Sequence, residues 1–151
     1  MFAVKSILVV CVGNICRSPV GEAILNKLLD SDNGEINVSS AGLGALVGHK
    51  IDSTMSSAAK HRDLNFDKHR AQQINKDIID TSDLILVMEA GHRIAIMKKF
   101  PEASGRIMLF SKWVGGMDIK DPYRLERDYH LAICNEIFDA ADAWSTKLKA
   151  I

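Results

Sequence analysis

Cys11 and Arg17 carry the strongest chemical signal in this sequence, separated by the five residues Val12, Gly13, Asn14, Ile15 and Cys16. A thiolate is a strong nucleophile, and a guanidinium offers two parallel N–H groups that match two phosphoryl oxygens while staying charged. A connection this short must curl. The backbone N–H groups from Val12 to Arg17 then converge on one point and form an anion nest at the positive end of the following helix. Gly13 and Asn14 tolerate positive φ, which such a curl demands at one or two positions. A cup of this kind favours the thiolate of Cys11 at its bottom and sets Arg17 at its rim as the clamp for a transferring phosphoryl group. The hydroxyl of Ser18 is expected to donate to the Cys11 sulfur.

The spacing alone is weak, so the flanking elements must carry the reading. Val4 to Val12 is a β-branched and aliphatic run of strand length that stops at Gly13-Asn14. Ser18-Pro19 then supply a helix start, with Val20, Ile24 and Leu28 at helical spacing. Strand, tight loop and helix are the setting a phosphate cradle requires. The alternative for Cys11 is a buried strand cysteine acting as a small hydrophobe. Further on, Ile36 to Ser40, Leu84 to Met88 and Ile107 to Phe110 read as strands. Leu43 to Gly48 reads as a glycine-rich loop. Ser53 or Thr54 would cap a helix reaching about Leu64, and Ala90 to Phe100 reads as another helix. Ile133, Ile137, Ala141, Trp144 and Leu148 make the apolar stripe of a long final helix. Strands that alternate with helices and are apolar throughout predict an α/β sandwich with a parallel sheet covered on both faces.

At 151 residues, 47% hydrophobic and 25% charged, the chain suits a single globular domain spanning 1–151. Nineteen basic and nineteen acidic residues cancel without forming blocks, which argues against nucleic acid or an anionic membrane as partner. The apolar run Ile7 to Val10 is too brief for a signal segment or a membrane span, so a cytoplasmic protein is expected. Three cysteines, two of them five positions apart, do not read as a secreted disulfide framework. His49, His61, His69, His92 and His130 show no metal-ligand spacing, so neither metal nor cofactor is expected.

The run Val-Cys-Val-Gly-Asn-Ile-Cys-Arg-Ser-Pro over residues 10–19 resembles the signature of low-molecular-weight protein tyrosine phosphatases. The resemblance continues at Ser40-Ala41-Gly42, at Ala71-Gln72-Gln73-Ile74 and at Asp121-Pro122-Tyr123, in the family's order and over nearly the full length. It is similar in particular to the bacterial Wzb-type branch that accompanies exopolysaccharide and capsule synthesis. What this implies is a four-stranded parallel sheet flanked by helices, a three-layer sandwich, and a phosphocysteine mechanism without metal. The implied partner is a tyrosine-phosphorylated protein, in this branch a tyrosine autokinase, met by a monomer or weak dimer.

A leaving phenolate needs a proton, and Asp121 is the expected acid, because only it, and not Asp118, is followed by Pro122 and the aromatic Tyr123. The bland alternative is a solvated turn aspartate. Tyr123 is read as a wall of the substrate site, with loop packing as its alternative. The resemblance aligns Leu46 with a position where relatives place a large side chain against the substrate ring; the residue here is aliphatic, and the run Leu43 to Val47 would instead offer an apolar surface to a protein substrate. It also implies that Asn14, Ser40 and His69 brace the cup, while His69 otherwise reads as a surface histidine. Cys16 is within reach of Cys11 for a reversible protective disulfide, or else packs beneath the loop. Cys134 reads as a core residue.

Three rivals remain. An arsenate reductase would relay oxidation to two further downstream cysteines, and none lies between Cys16 and Cys134. A phosphoarginine phosphatase typically has threonine where Ile15 stands. A silent phosphopeptide-binding module would not be expected to keep Cys11, Arg17 and Asp121 together.

Overall fold

A computed structural model describes residues 3–30 and 35–150. Four short runs pair in parallel to make one sheet: β1 Ser6–Cys11, β2 Asn37–Gly42, β3 Leu84–Val87 and β4 Ile107–Leu109, in the order β2-β1-β3-β4. Successive side chains in a strand point to opposite faces, and both faces are buried here. Ile7, Val9, Cys11, Leu84 and Leu86 pack into one core cluster, while Leu8, Val10, Ile85 and Val87 pack into a second. Each such aliphatic side chain stabilises the fold by roughly 1.5–3 kcal/mol on burial. That is why these runs are apolar throughout rather than alternating.

Helices α1 Arg17–Asp30, α2 Ser53–Ala58 and α5 Arg127–Lys149 cover the first face. Helices α3 Lys76–Asp80 and α4 Ala90–Lys99 cover the second. The expected three-layer α/β sandwich is therefore what the chain forms. Helix α5, 23 residues and about 35 Å long, buries Ile133, Ile137, Ala141 and Trp144 as its stripe predicts, with Cys134 in the core. Helix α1 comes close to the sheet at Gly21, where a Cβ would stand 3.0 Å from Val9 and 3.2 Å from Phe110.

Element ends differ from the sequence reading for local reasons. The first strand is Ser6–Cys11 rather than Val4 to Val12, and Val12 is 43% exposed at the start of the loop. The second strand runs through Ala41 to Gly42. Helix α2 is capped by Asp52, whose carboxylate accepts the Met55 N–H at 3.0 Å, and not by Ser53 or Thr54. It stops at Ala58, well before Leu64, where a 3₁₀ turn over Lys60–Arg62 ends on Asp63 at φ 55°. Helix α4 ends at Lys99 because Pro101 drives Phe100 out of helical backbone, to φ −132°. The five-residue α3 escaped the sequence reading; Asn75 caps it by accepting the Ile78 N–H at 2.9 Å. Among the described residues no helix is long and apolar enough to cross a membrane.

The chain leaves β1 for β2 on one side and later returns to β3 on the other. In open parallel sheets such a reversal opens a crevice at the carboxyl ends of the strands. Cys11, the last residue of β1, stands at that point.

Candidate active site

The five carbonyls that begin the loop are all tied to the surrounding shell. Cys11 O accepts from Leu43 N, Val12 O from Gly44 N and Gly13 O from Leu46 N, each at 3.0 Å. His69 Nε2 donates to Asn14 O at 2.7 Å, and Asp52 N donates to Ile15 O at 2.7 Å. With the carbonyls held outward, the amides of Gly13, Asn14, Ile15 and Cys16 have no hydrogen-bond acceptor among the described residues. Unpaired amides in a curled loop ahead of a helix are the donors an anion nest consists of. The curl turns on Asn14, at φ 58°. Gly13 does not adopt positive φ; it lines the cleft instead. His69 braces the cup and is not a free surface side chain.

A second set of bonds fixes where protons lie. Gln72 N–H donates to Asn14 Oδ1 at 2.9 Å, which orients the amide. Its Nδ2 then donates to Ser18 Oγ at 2.8 Å and to Ser40 Oγ at 2.9 Å. Each hydroxyl, having accepted, turns its own proton onward: Ser40 to Glu22 Oε1 at 2.5 Å, Ser18 to Cys11 Sγ at 2.9 Å. The Ser18 N–H also points at that sulfur, at 3.4 Å. The Cys11 sulfur thus faces both the hydroxyl and the backbone N–H of Ser18. Burial holds the Glu22 carboxyl above its usual range, against the opposing pull of Ser40 and His69.

Arg17 is 1% exposed, among the largest fully buried side chains in the molecule. Its Nη1 donates to Glu89 Oε2 at 2.5 Å and to the Ile119 carbonyl at 2.7 Å. The opposite edge is unsatisfied: Nε is buried with no partner among the described residues, and Nη2 has only Asp121 Oδ2 at 3.8 Å. An unpaired Nε–Nη2 edge is a two-pronged fork awaiting two oxygens. Glu89 also faces His92 Nε2 at 3.4 Å, and burial, then the Arg17 charge, hold His92 below its ordinary range.

Cys11, Val12, Gly13, Ile15, Cys16, Arg17, Leu46, Asp121 and Tyr123 line one cleft of about 200 Å³. Asp121 is held by an Asx turn, its Oδ1 accepting the Tyr123 N–H at 3.0 Å. Asp118 does not line this cleft; its Oδ1 accepts the Ala90 N–H at the start of α4 at 2.8 Å. Leu46 and Val47 are exposed beside the cleft, whereas Leu43 packs inward on the second core cluster and leaves the apolar surface expected over residues 43–47. Cys16 is buried beneath the loop; burial first, then the negative charges of Asp121, Cys11 and Asp52, push its thiol up.

Sequence reasoning missed Glu22, Gln72, Glu89 and Gly42. Glu22 and Glu89 have no spacing relation to Cys11, and Gln72 had a signal only in the run Ala71-Gln72-Gln73-Ile74. Gly42 had a signal in Ser40-Ala41-Gly42: a Cβ there would meet Val12 O at 2.4 Å and Asn14 Cβ at 3.1 Å. Gly42→Ala is therefore expected to push the cup out of shape and lower kcat/KM by on the order of 10-fold or more, about 1.4 kcal/mol of transition-state stabilisation, measurable with an aryl phosphate. An unchanged rate would show that the cup absorbs the methyl.

Cup, fork and cleft together describe a phosphomonoester hydrolase site of the cysteine-dependent kind. The family model of the low molecular weight phosphotyrosine protein phosphatases matches residues 6–151, and the chain belongs to that family. The activity that goes with membership is hydrolysis of protein phosphotyrosine through a cysteinyl-phosphate. The chain is 41% identical to the probable low molecular weight protein-tyrosine-phosphatase AmsI of Erwinia amylovora, over 96% of this chain and 98% of that protein. It is 42% identical to the low molecular weight protein-tyrosine-phosphatase Wzb of Salmonella typhimurium, over 97% and 95%. The structure of Vibrio vulnificus Wzb in complex with benzylphosphonate superposes with a TM-score of 0.92 at 42% identity, over 97% of this chain and 100% of that one.

Proposed function

We propose that Cys11, Arg17 and Asp121 carry out phosphotyrosine hydrolysis in this chain as nucleophile, clamp and general acid. The observation that carries the assignment is a buried arginine whose Nε has no hydrogen-bond partner among the described residues and whose Nη2 has only Asp121 at 3.8 Å, beside a thiol bonded to Ser18. Cys11 Sγ attacks phosphorus in line, the bond to the tyrosine oxygen breaks, and Asp121 gives that oxygen its proton. The amides of Gly13 to Cys16 and the Arg17 fork hold the three equatorial oxygens as charge shifts. Asp121, now a carboxylate, takes a proton from water as the water attacks the cysteinyl-phosphate. The sulfur departs as thiolate, steadied by the Ser18 hydroxyl. No step calls for a metal or cofactor.

Asp121→Asn is expected to slow hydrolysis of phenyl phosphate by on the order of 10²-fold. The loss should shrink for esters whose leaving group needs no proton, and an equal loss for both would move the acid elsewhere.

The substrate we propose is a tyrosine-phosphorylated protein, in the Wzb-type setting a bacterial tyrosine autokinase of exopolysaccharide synthesis, met in the cytoplasm by a monomer or weak dimer acting as one domain. Exposed Val12, Leu46, Val47 and Tyr123 give the cleft an apolar rim that suits a peptide around the aromatic ring. Phosphate release from phosphotyrosine, phosphoserine and phosphoarginine peptides, with chelator present, tests the reading. Preference for phosphotyrosine supports it, and a preference for phosphoarginine overturns it.

A further inference from the structure

Beside the cup lies a trio that the hydrolysis does not use. Cys16 Sγ, a carboxylate oxygen of Asp52 and a ring nitrogen of His130 lie within 4.8 Å of one another. They come from three places, the loop, the cap of α2 and the first turn of α5, so no spacing motif in the sequence marks them. His130 is 1% exposed, and its Nε2 has no hydrogen-bond partner among the described residues. Its other nitrogen, Nδ1, lies 3.1 Å from the Glu126 carbonyl. A carbonyl only accepts, so Nδ1 carries the proton, and in the neutral ring Nε2 keeps a lone pair directed at the trio. A histidine held at one nitrogen by a backbone carbonyl, with the other free, has the arrangement seen in metal-ligating histidines.

The carboxylate is fixed in a matching way. Asp52 Oδ2 accepts the Met55 N–H at 3.0 Å and stands 3.4 Å from His130 Nε2. Two ligands about 2.0–2.1 Å from one tetrahedral zinc ion are separated by about 3.3 Å. The nitrogen–oxygen edge is therefore already at ligation distance, and with the sulfur no more than 4.8 Å away a closing of about 1.2 Å at most brings it in, since a sulfur–nitrogen edge is about 3.6 Å. The Asp52 side chain is 20% exposed, which gives an ion a route in.

We propose that Cys16, Asp52 and His130 form a binding site for a divalent cation of the zinc class, separate from the catalytic thiol. Thiolate, imidazole and carboxylate are the donor set such an ion prefers, and a water completes four-coordination. On binding, the Cys16 S–H bond breaks, its proton leaves to solvent, and the sulfur bonds the metal; nothing is oxidised or reduced. The ion joins the phosphate loop to α2 and α5. Cys16 lines the cleft that phosphate enters, but Asp52 and His130 lie outside it, so occupancy draws on the loop from the side and slows turnover without competing with phosphate.

The test uses full-length Cys11→Ser protein, which removes the catalytic thiol as a rival ligand. Zinc chloride titrated calorimetrically is expected to bind with one-to-one stoichiometry and a Kd in the micromolar range or tighter. His130→Gln, and separately Asp52→Asn, which keeps a capping oxygen for α2, should each weaken it at least 10-fold. Cobalt(II) should give thiolate-to-metal charge-transfer absorption that disappears with Cys16→Ser. Absence of binding, affinity unchanged by both substitutions, or absorption surviving Cys16→Ser through Cys134 would each overturn the proposal. In the wild-type chain, zinc inhibition that is competitive with phosphate and indifferent to His130→Gln would also overturn it, since Cys11 would then be the ligand.

Discussion

Cys11→Ser is expected to lower turnover of p-nitrophenyl phosphate by at least on the order of 10⁴-fold while leaving phosphate binding in place. The two effects separate because they rest on different atoms. Turnover needs a sulfur anion that forms and then breaks a bond to phosphorus, and a serine hydroxyl at that position has no base to activate it. Binding needs the amides of Gly13 to Cys16 and the Arg17 fork, and those are oriented by partners that do not touch the sulfur: Leu43, Gly44, Leu46, Asp52 and His69 hold the carbonyls, and Glu89 holds the guanidinium. Steady-state rates and calorimetry with inorganic phosphate measure both in one preparation. Residual activity near wild type would end the assignment of Cys11 as nucleophile. Loss of phosphate binding would show instead that the sulfur holds the cup in shape.

The chemistry was legible in the sequence because it is local. A cup of five consecutive residues between a strand and a helix is specified by those residues, and of the two turn-tolerant types there, Gly13 and Asn14, it is Asn14 that takes positive φ. The same holds for β1 and β3, whose apolar runs are unbroken, and for α5, whose stripe is long enough to fix its period. The shell around the cup was not legible from the residues themselves, because its members meet Cys11 only through the fold. Glu22 is one turn into α1, Gln72 enters at the bridge between Gly42 and Gln73, and Glu89 follows β3. The resemblance supplied Ser40 and His69, but nothing in the sequence marks the carboxylates that their neighbours require. Short elements failed for another reason: α2 and α3 have six and five residues, too few for a helical period to declare itself, so their starts are set by the side-chain caps of Asp52 and Asn75.

Arg17→Lys is expected to lower kcat/KM for aryl phosphates by on the order of 10³-fold, although it keeps the charge. The guanidinium does two jobs at once: Nη1 is spent on Glu89 and the Ile119 carbonyl, and only then does the Nε–Nη2 edge point into the cleft as a pair of donors. A lysine has a single nitrogen. If it reaches Glu89 it abandons the phosphoryl oxygens, and if it reaches them it leaves the carboxylate of Glu89 without its buried partner. The companion variant Glu89→Gln separates the two jobs, since it keeps the fork and removes only the charged anchor behind it. A smaller loss, on the order of 10-fold, is expected there, seen mainly in kcat because a loosened fork costs most where the transition state needs it tightest. Equal losses in the two variants would mean that Arg17 acts through Glu89 alone, and the fork would then have no role in catalysis.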